Sequence, residues 1–295
     1  MDNGFGHSNG NGNGNGNGAG ITSRTADSLL APLMQGHQEE TGPDVGLNEA
    51  IEGHRRRLAG LGYGELADEA LARRNPTDGA LALWVPAGPF TRGSREAADE
   101  RPVAAVELSG FFMDVFPVTA AQMQEFARQT GKAPTVGMPQ DPTQPAVGLS
   151  WEDAQAYCRW SGKRLPSEAE WEKASRGTDG RAFPWGETFA EGRAALLGQG
   201  YAGAAPVGGH PDGASPYGMQ DMAGNVWEWV ADWYATDAYA RLRGRDPQGV
   251  ETGSHRVVRG GSWVCHPRLL RCAARYRYAP QTRSRFIGFR CVVDA

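Results

Sequence analysis

The sequence predicts an α+β domain that is low in regular secondary structure. Short helices announced by capping signals alternate with extended segments broken by Gly and Pro. From about Ala182 to Ala295 the chain is rich in Gly, Trp and Arg with few periodic runs. No repeat recurs at a solenoid or propeller period, which excludes those architectures. With 295 residues, 40% hydrophobic composition and nine tryptophans, the chain has the material for a sizeable core.

Met1 to about Thr22 alternates Asn and Gly, which leaves nothing to bury and much backbone entropy to lose, so residues 1–24 are expected to be disordered. Residues 25–79 form a helical preface. In it Leu47, Ile51, His54 and Leu58 recur at helical spacing, and a second pattern of Leu66, Ala70 and Leu71 ends near Asn75-Pro76. His54 falls on the apolar stripe without a second ligand at metal spacing, which makes it a packed or hydrogen-bonded histidine. The main domain, 80–295, opens with extended segments at 81–86, 103–108 and 111–115. Thr119 with Gln122, Ser150 with Asp153, and Ser167 with Glu170 then start three helices, the middle one a variant box with Asp. Gly131 and Gly162 stop the first two.

Charge and composition bound the partners. A formal net charge of −4 provides no overall polycation for nucleic acid or membrane, and no apolar run approaches the roughly 20 residues that span a bilayer. The start of the chain lacks the charged and apolar parts of a secretory signal, and four cysteines in this length are no disulfide framework. Both point to a reducing, cytoplasmic setting.

The segment Arg256 to Cys291 stands apart. It holds three of the four cysteines, one histidine and nine arginines without a carboxylate. A thiol near fixed positive charge becomes a thiolate, hence a nucleophile or a soft-metal ligand; a free cysteine is also among the most buried residue types. Cys265-His266 followed by Cys272 matches no strong metal spacing. The arginines suit either an anionic ligand or internal ion pairs with carboxylates such as Asp221, Glu228, Asp232 and Asp237. Nothing resembles an established nucleic-acid module, and nothing indicates an oligomeric state.

Six motifs in order, WVPAGPFTRGS (84–94), DVFPVT (114–119), LSWEDAQAYCRWSGKRLPSEAEWEKASRG (149–177), SPYGMQDMAGNVWEWVADWY (215–234), RVVRGGSW (256–263) and IGFRC (287–291), resemble the formylglycine-generating enzyme (sulfatase-modifying factor) family. That family also includes sulfoxide synthase-like and siderophore-maturation-like members. The resemblance implies a C-type lectin-like fold stiffened by calcium. Family members that make formylglycine hold one copper ion between two cysteines spaced C-x4-C and use oxygen to oxidise a substrate cysteine; two soft thiolates suit Cu(I).

Cys265 matches the first copper cysteine, and the second has no counterpart. Cys272 aligns with a downstream segment in which some members carry a disulfide whose partner would fall at Ala174, so it is expected to be small, buried and free. A loop that gathered Cys265, His266 and Cys272 would make a copper or iron site. By resemblance, calcium would take a side-chain oxygen of Asp221, the carbonyls of Gly224 and Val226, and the carboxylate of Glu228, donors of the kind a hard cation requires. Trp227 and Ser262 match positions that line the pocket beside the active thiol, and Cys158 and Cys291 match the ends of a structural disulfide. His266, Arg275 and Arg290 are the candidate substrate-binding residues, the arginines serving substrate or a structural carboxylate. The iron-dependent sulfoxide synthases carry an H-x3-H-x-E motif that this chain lacks, and the pattern GGSW…LR…GFR is at least as similar to the siderophore branch. The resemblance thus implies a metal- and O2-dependent oxidoreductase that tailors a peptide or small-molecule substrate, with anionic groups a fit for the arginines. The alternative is a non-catalytic, calcium-stabilised lectin-like binding or maturation module.

Overall fold

The computed structural model describes residues 45–64, 71–132 and 137–295. The leader 1–24, and Leu66 and Ala70 of the second helical pattern, lie outside the described residues.

Helix α1 (Val45–Gly60) presents Ile51 and Leu58 to the core with Leu47 beside them, as the spacing predicts. His54 is fully buried on the same stripe, its Nε2 2.8 Å from the carbonyl of Trp84, while Nδ1 has no partner. The second pattern ends differently from the expected helix. Ala72–Arg74 forms strand β1, paired antiparallel with β2 (Leu81–Val85). The turn between them is decided by Asn75, whose Oδ1 accepts the amides of Thr77 at 2.9 Å and Asp78 at 3.2 Å, local chemistry that outcompetes helix propagation. The first sheet therefore begins ahead of Ala80. It runs β1, β2, β5 (Phe111–Asp114), β11 (Val292–Asp294), every pair antiparallel.

A second sheet carries the site. Its order is β10 (Ile287–Phe289), β6 (Trp227–Trp233), β8 (Arg256–Arg259), β9 (Tyr276–Tyr278), with β10 parallel to β6. A third joins β3 (Gly88–Arg92), β4 (Ala104–Leu108) and β7 (Gly244–Arg245). Strand β6 is buried on both faces, and its alternation sorts side chains between two cores. Trp227, Trp229 and Ala231 join Tyr157, Cys158 and Phe289, while Val230 joins Trp171, Met113 and Val257.

All three predicted capping boxes are present, the Asp153 variant included, and they start α2 (Ala120–Thr130), α3 (Trp151–Trp160) and α4 (Glu168–Arg176). Gly131 caps α2 at φ 67°, and Gly162 follows α3 at φ 69°, both in the left-handed region glycine favours. A short helix, α5 (Ala238–Arg241), leads to β7. Every residue of α4 is buried, among them three glutamates, a lysine and an arginine. Such burial is tolerable only because these groups are paired. Glu172 accepts Arg176 at 2.8 Å and Arg259 at 2.9 Å. Burial alone would raise its carboxyl, but Arg259 and Arg176 hold it below its ordinary range. No described helix is long and apolar enough to cross a membrane.

Candidate functional site

The thiol of Cys265 is positioned by the two glycines before it. Strand β8 ends at Arg259, and Gly260 and Gly261 follow at φ 92° and 77°. A Cβ on Gly261 would lie 2.5 Å from Leu270 Cδ2, and one on Gly260 3.1 Å from the Trp171 ring, so only glycine fits this reversal. The chain then turns tightly, the amide of Cys265 donating to the carbonyl of Ser262 at 2.8 Å. This brings the fully buried Ser262 hydroxyl to 3.4 Å from the half-buried Sγ of Cys265.

Aromatic side chains surround that pair. Cys265 packs on the core containing Trp227, with Leu269, Tyr278 and Phe286 at its edge. Tyr276 stacks on Trp227 with centroids 5.6 Å apart, and Tyr278 follows at 5.4 Å from Tyr276. Burial, Tyr276 and Cys265 together push the Tyr278 hydroxyl above its ordinary range. Trp227 and Cys265 thus share one apolar cluster. The tyrosines of β9 were missed; the signal was the Tyr-Arg-Tyr alternation, which sends both rings to one face and Arg277 to the other, over Tyr234.

The other predicted residues separate. Cys272 does not join Cys265: it is fully buried, takes the hydroxyl of Ser175 at 3.1 Å, and burial pushes its thiol up to about 12. His266 is exposed and its Nδ1 accepts the amide of Arg268 within its own turn. Among the described residues no group of three His, Cys, Asp or Glu side chains could hold a metal. Copper between two thiolates, and a Cys2His iron or copper set, therefore do not fit the residues present.

Arg275 and Arg290 take the second of the two roles expected for them, that of holding a structural carboxylate, and their donors are engaged inside the protein. Arg275 forks onto Glu168 at 2.6 and 2.8 Å and reaches the carbonyl of Asp99 at 2.7 Å. Arg290 forks onto Glu228 at 2.8 and 2.7 Å and donates to the carbonyls of Val115 and Gln220. Of the carboxylates expected to pair with the arginine segment, only Glu228 does so by a fork. Glu168, Glu172, Glu100 and Asp153 supply the rest, whereas Asp232 accepts the amide of Glu168 and Asp237 pairs with Arg241.

The calcium donors can be tested in the same way. Asp221, at φ 57°, opens the turn before Gly224 and Val226, and its Oδ2 accepts the amide of Gly208 at 2.7 Å. Next to it the buried Gln220 leaves Oε1 without a donor. Glu228 also accepts Trp171 Nε1 on Oε2, so Oε1, with one donor, keeps a free lone pair. A buried carboxylate, an orphaned amide oxygen and a second carboxylate fit a hard cation in kind, with Arg290 lowering the charge presented to it. Cys158 and Cys291 lie side by side in the core, Sγ to Sγ 3.2 Å, as free thiols.

A thiol on a glycine reversal after β8, in an α+β frame of three small sheets, fits the formylglycine-generating type. Comparison with known proteins agrees: the sulfatase-modifying factor enzyme 1-like domain matches residues 68–295, and the chain belongs to that family. It is 33% identical over 300 residues to the formylglycine-generating enzyme of Thermomonospora curvata, covering 77% of this chain and 98% of that protein. It is 38% identical over 236 residues to the serine/threonine-protein kinase pkn1 of Chlamydia caviae, covering 71% of this chain; it spans only 37% of that relative's length. Among solved structures, PvdO from Pseudomonas aeruginosa matches with a TM-score of 0.68 at 28% identity, over 77% of this chain and 98% of that one.

Proposed function

We propose that the protein is an oxidative tailoring enzyme of the formylglycine-generating type, with dioxygen as oxidant and a peptide or small molecule as substrate. The observation that carries the reading is the half-buried Cys265 thiol, 3.4 Å from Ser262 Oγ, at the edge of an apolar cluster that holds Trp227 and Tyr278. A buried hydroxyl can donate to the thiolate and hold it in one orientation, and the rings exclude water from one side. The single thiol does not supply a copper pair, so no metal step is assigned to it. Calcium, held by Asp221 and Glu228 with the carbonyls of Gly224 and Val226, would stiffen the turn that leads into Trp227.

The test is oxygen uptake and product mass with thiol-bearing peptides and small thiols, for the native protein and Cys265→Ala. Uptake that disappears with the substitution supports the reading. A second reading, the non-catalytic binding module, is favoured by the turning of Cys272 into the core. It predicts no uptake, and ligand binding that Cys265→Ala leaves unchanged.

A further inference from the structure

The arginines around Cys265 divide into two groups. Arg259, Arg271, Arg275, Arg283 and Arg290 each meet a carboxylate. Among the described residues Arg256, Arg268, Arg277 and Arg285 meet none: Arg256 lies between the rings of Trp151 and Trp233, Arg277 lies over Tyr234 on the face of β9 opposite Tyr276, and Arg268 and Arg285 are exposed. Arg268 lies in the short turn that follows Cys265, beside the exposed His266. Arg285 lies over the rings of Trp263 and Phe286, 5.6 and 5.1 Å from their centroids. Phe286 in turn accepts the amide of Trp227 at its carbonyl, 2.8 Å, and packs at the edge of the core that Cys265 joins. Two exposed guanidinium groups without a carboxylate partner are thus carried in the region of Cys265, one three residues on in the following turn and one over Phe286, with no carboxylate from 256 to 291 to offset them.

The shape of this region points the same way. A cleft of about 520 Å³, lined by Trp151, Arg159, Lys163 and Asp246 among others, does not include Cys265. The thiol instead sits on an open face, where Val264 is 46% exposed and Tyr276, lying on Trp227, 43% exposed. Small molecules are held in enclosed cavities that bury most of their surface, whereas an open face with one aromatic shelf suits an extended chain that brings its own area.

We infer that the Cys265 face binds an acidic peptide segment, its carboxylates on Arg268 and Arg285 and an aromatic or apolar side chain on Tyr276. This deepens the proposed function and rests on Cys265 being the reacting centre, yet binding can be read without turnover. Exposed arginine fixes carboxylates by forked, charge-assisted bonds, and stacked aromatics give contact area at low entropy cost.

The test is fluorescence anisotropy with short labelled peptides of equal length, each carrying one tyrosine, in which the other positions are mainly Glu, Gln or Lys, together with an oligothymidylate of similar length. At low ionic strength the Glu peptide is expected to bind about tenfold or more tighter than the Gln peptide, and to lose that advantage as salt screens it. Arg268→Glu with Arg285→Glu should remove the preference, and Arg159→Glu, an exposed charge in the other cleft, should leave it. Tyr276→Ala should weaken the Glu peptide with tyrosine more than one without. Anisotropy reads binding without turnover, so failure of oxidation leaves this result readable. Equal binding of the Gln or Lys peptide, indifference to both charge reversals, or oligothymidylate binding without peptide binding would each overturn the inference.

Discussion

At the scale of single residues, accessibility separates Cys265 from the other three cysteines. Cys158, Cys272 and Cys291 are fully buried and Cys265 is not. A thiol reagent should therefore label one cysteine quickly in the folded protein and four after denaturation, with the fast one absent in Cys265→Ala; two fast thiols would contradict the placement of Cys272. Gly261 gives a second prediction. An added methyl there meets Leu270 Cδ2 at 2.5 Å in a left-handed backbone, so Gly261→Ala should cost about 2–4 kcal/mol, measured by denaturant unfolding. The motifs made the candidates legible, Ser262 and Cys265 through RVVRGGSW and the residues just after it, Trp227 through SPYGMQDMAGNVWEWVADWY. It could not say which arginines were engaged, because Glu168 and Glu172 reach them from a helix more than 80 residues earlier in the chain. Arg275 and Arg290 accordingly stayed open between substrate and a structural carboxylate until their partners were placed.

Among the elements, helix starts were the most legible feature, since a capping box is written in four consecutive residues and all three formed as read. Strand β1 was not legible: three residues carry no period, and the Asn75 turn decides them. Helix α1 is attached through His54, whose ring burial lowers to a pKa of about 4. The unfolded chain then binds the proton more readily, so stability contributed by neutral His54 is complete above about pH 6.5 and is lost as the pH falls toward 4. Thermal unfolding followed from pH 7 to 4.5 should show a steeper decline for the native protein than for His54→Gln; parallel curves would place the histidine outside the docking contact. Helix α4 should be as sensitive for another reason. Glu168→Gln leaves Arg275 and Arg259 short of a buried counter-charge, an expected loss of about 3–5 kcal/mol by urea unfolding.

For the whole molecule, the family fold followed from motif order, whereas the division into three sheets did not, because their strands pair with partners far away in the chain. Calcium is the prediction that belongs here. If Asp221 and Glu228 hold it, saturating calcium should raise Tm by several degrees over chelator, and Asp221→Ala should erase the difference; an ion at a hundred times its Kd adds about 2.7 kcal/mol. The sheet order carries one more consequence. Strands β1, β2 and β5 all lie before residue 115, yet the sheet is completed by Val292–Asp294 pairing with Phe111–Met113. A ribosome must add the whole stretch from β5 to β11, residues 115–294, before that edge can close. Until then the β5 edge presents unpaired backbone groups of the kind that recruit foreign strands, so vectorial synthesis leaves a long window in which chaperones, not native contacts, keep the nascent chain from aggregating.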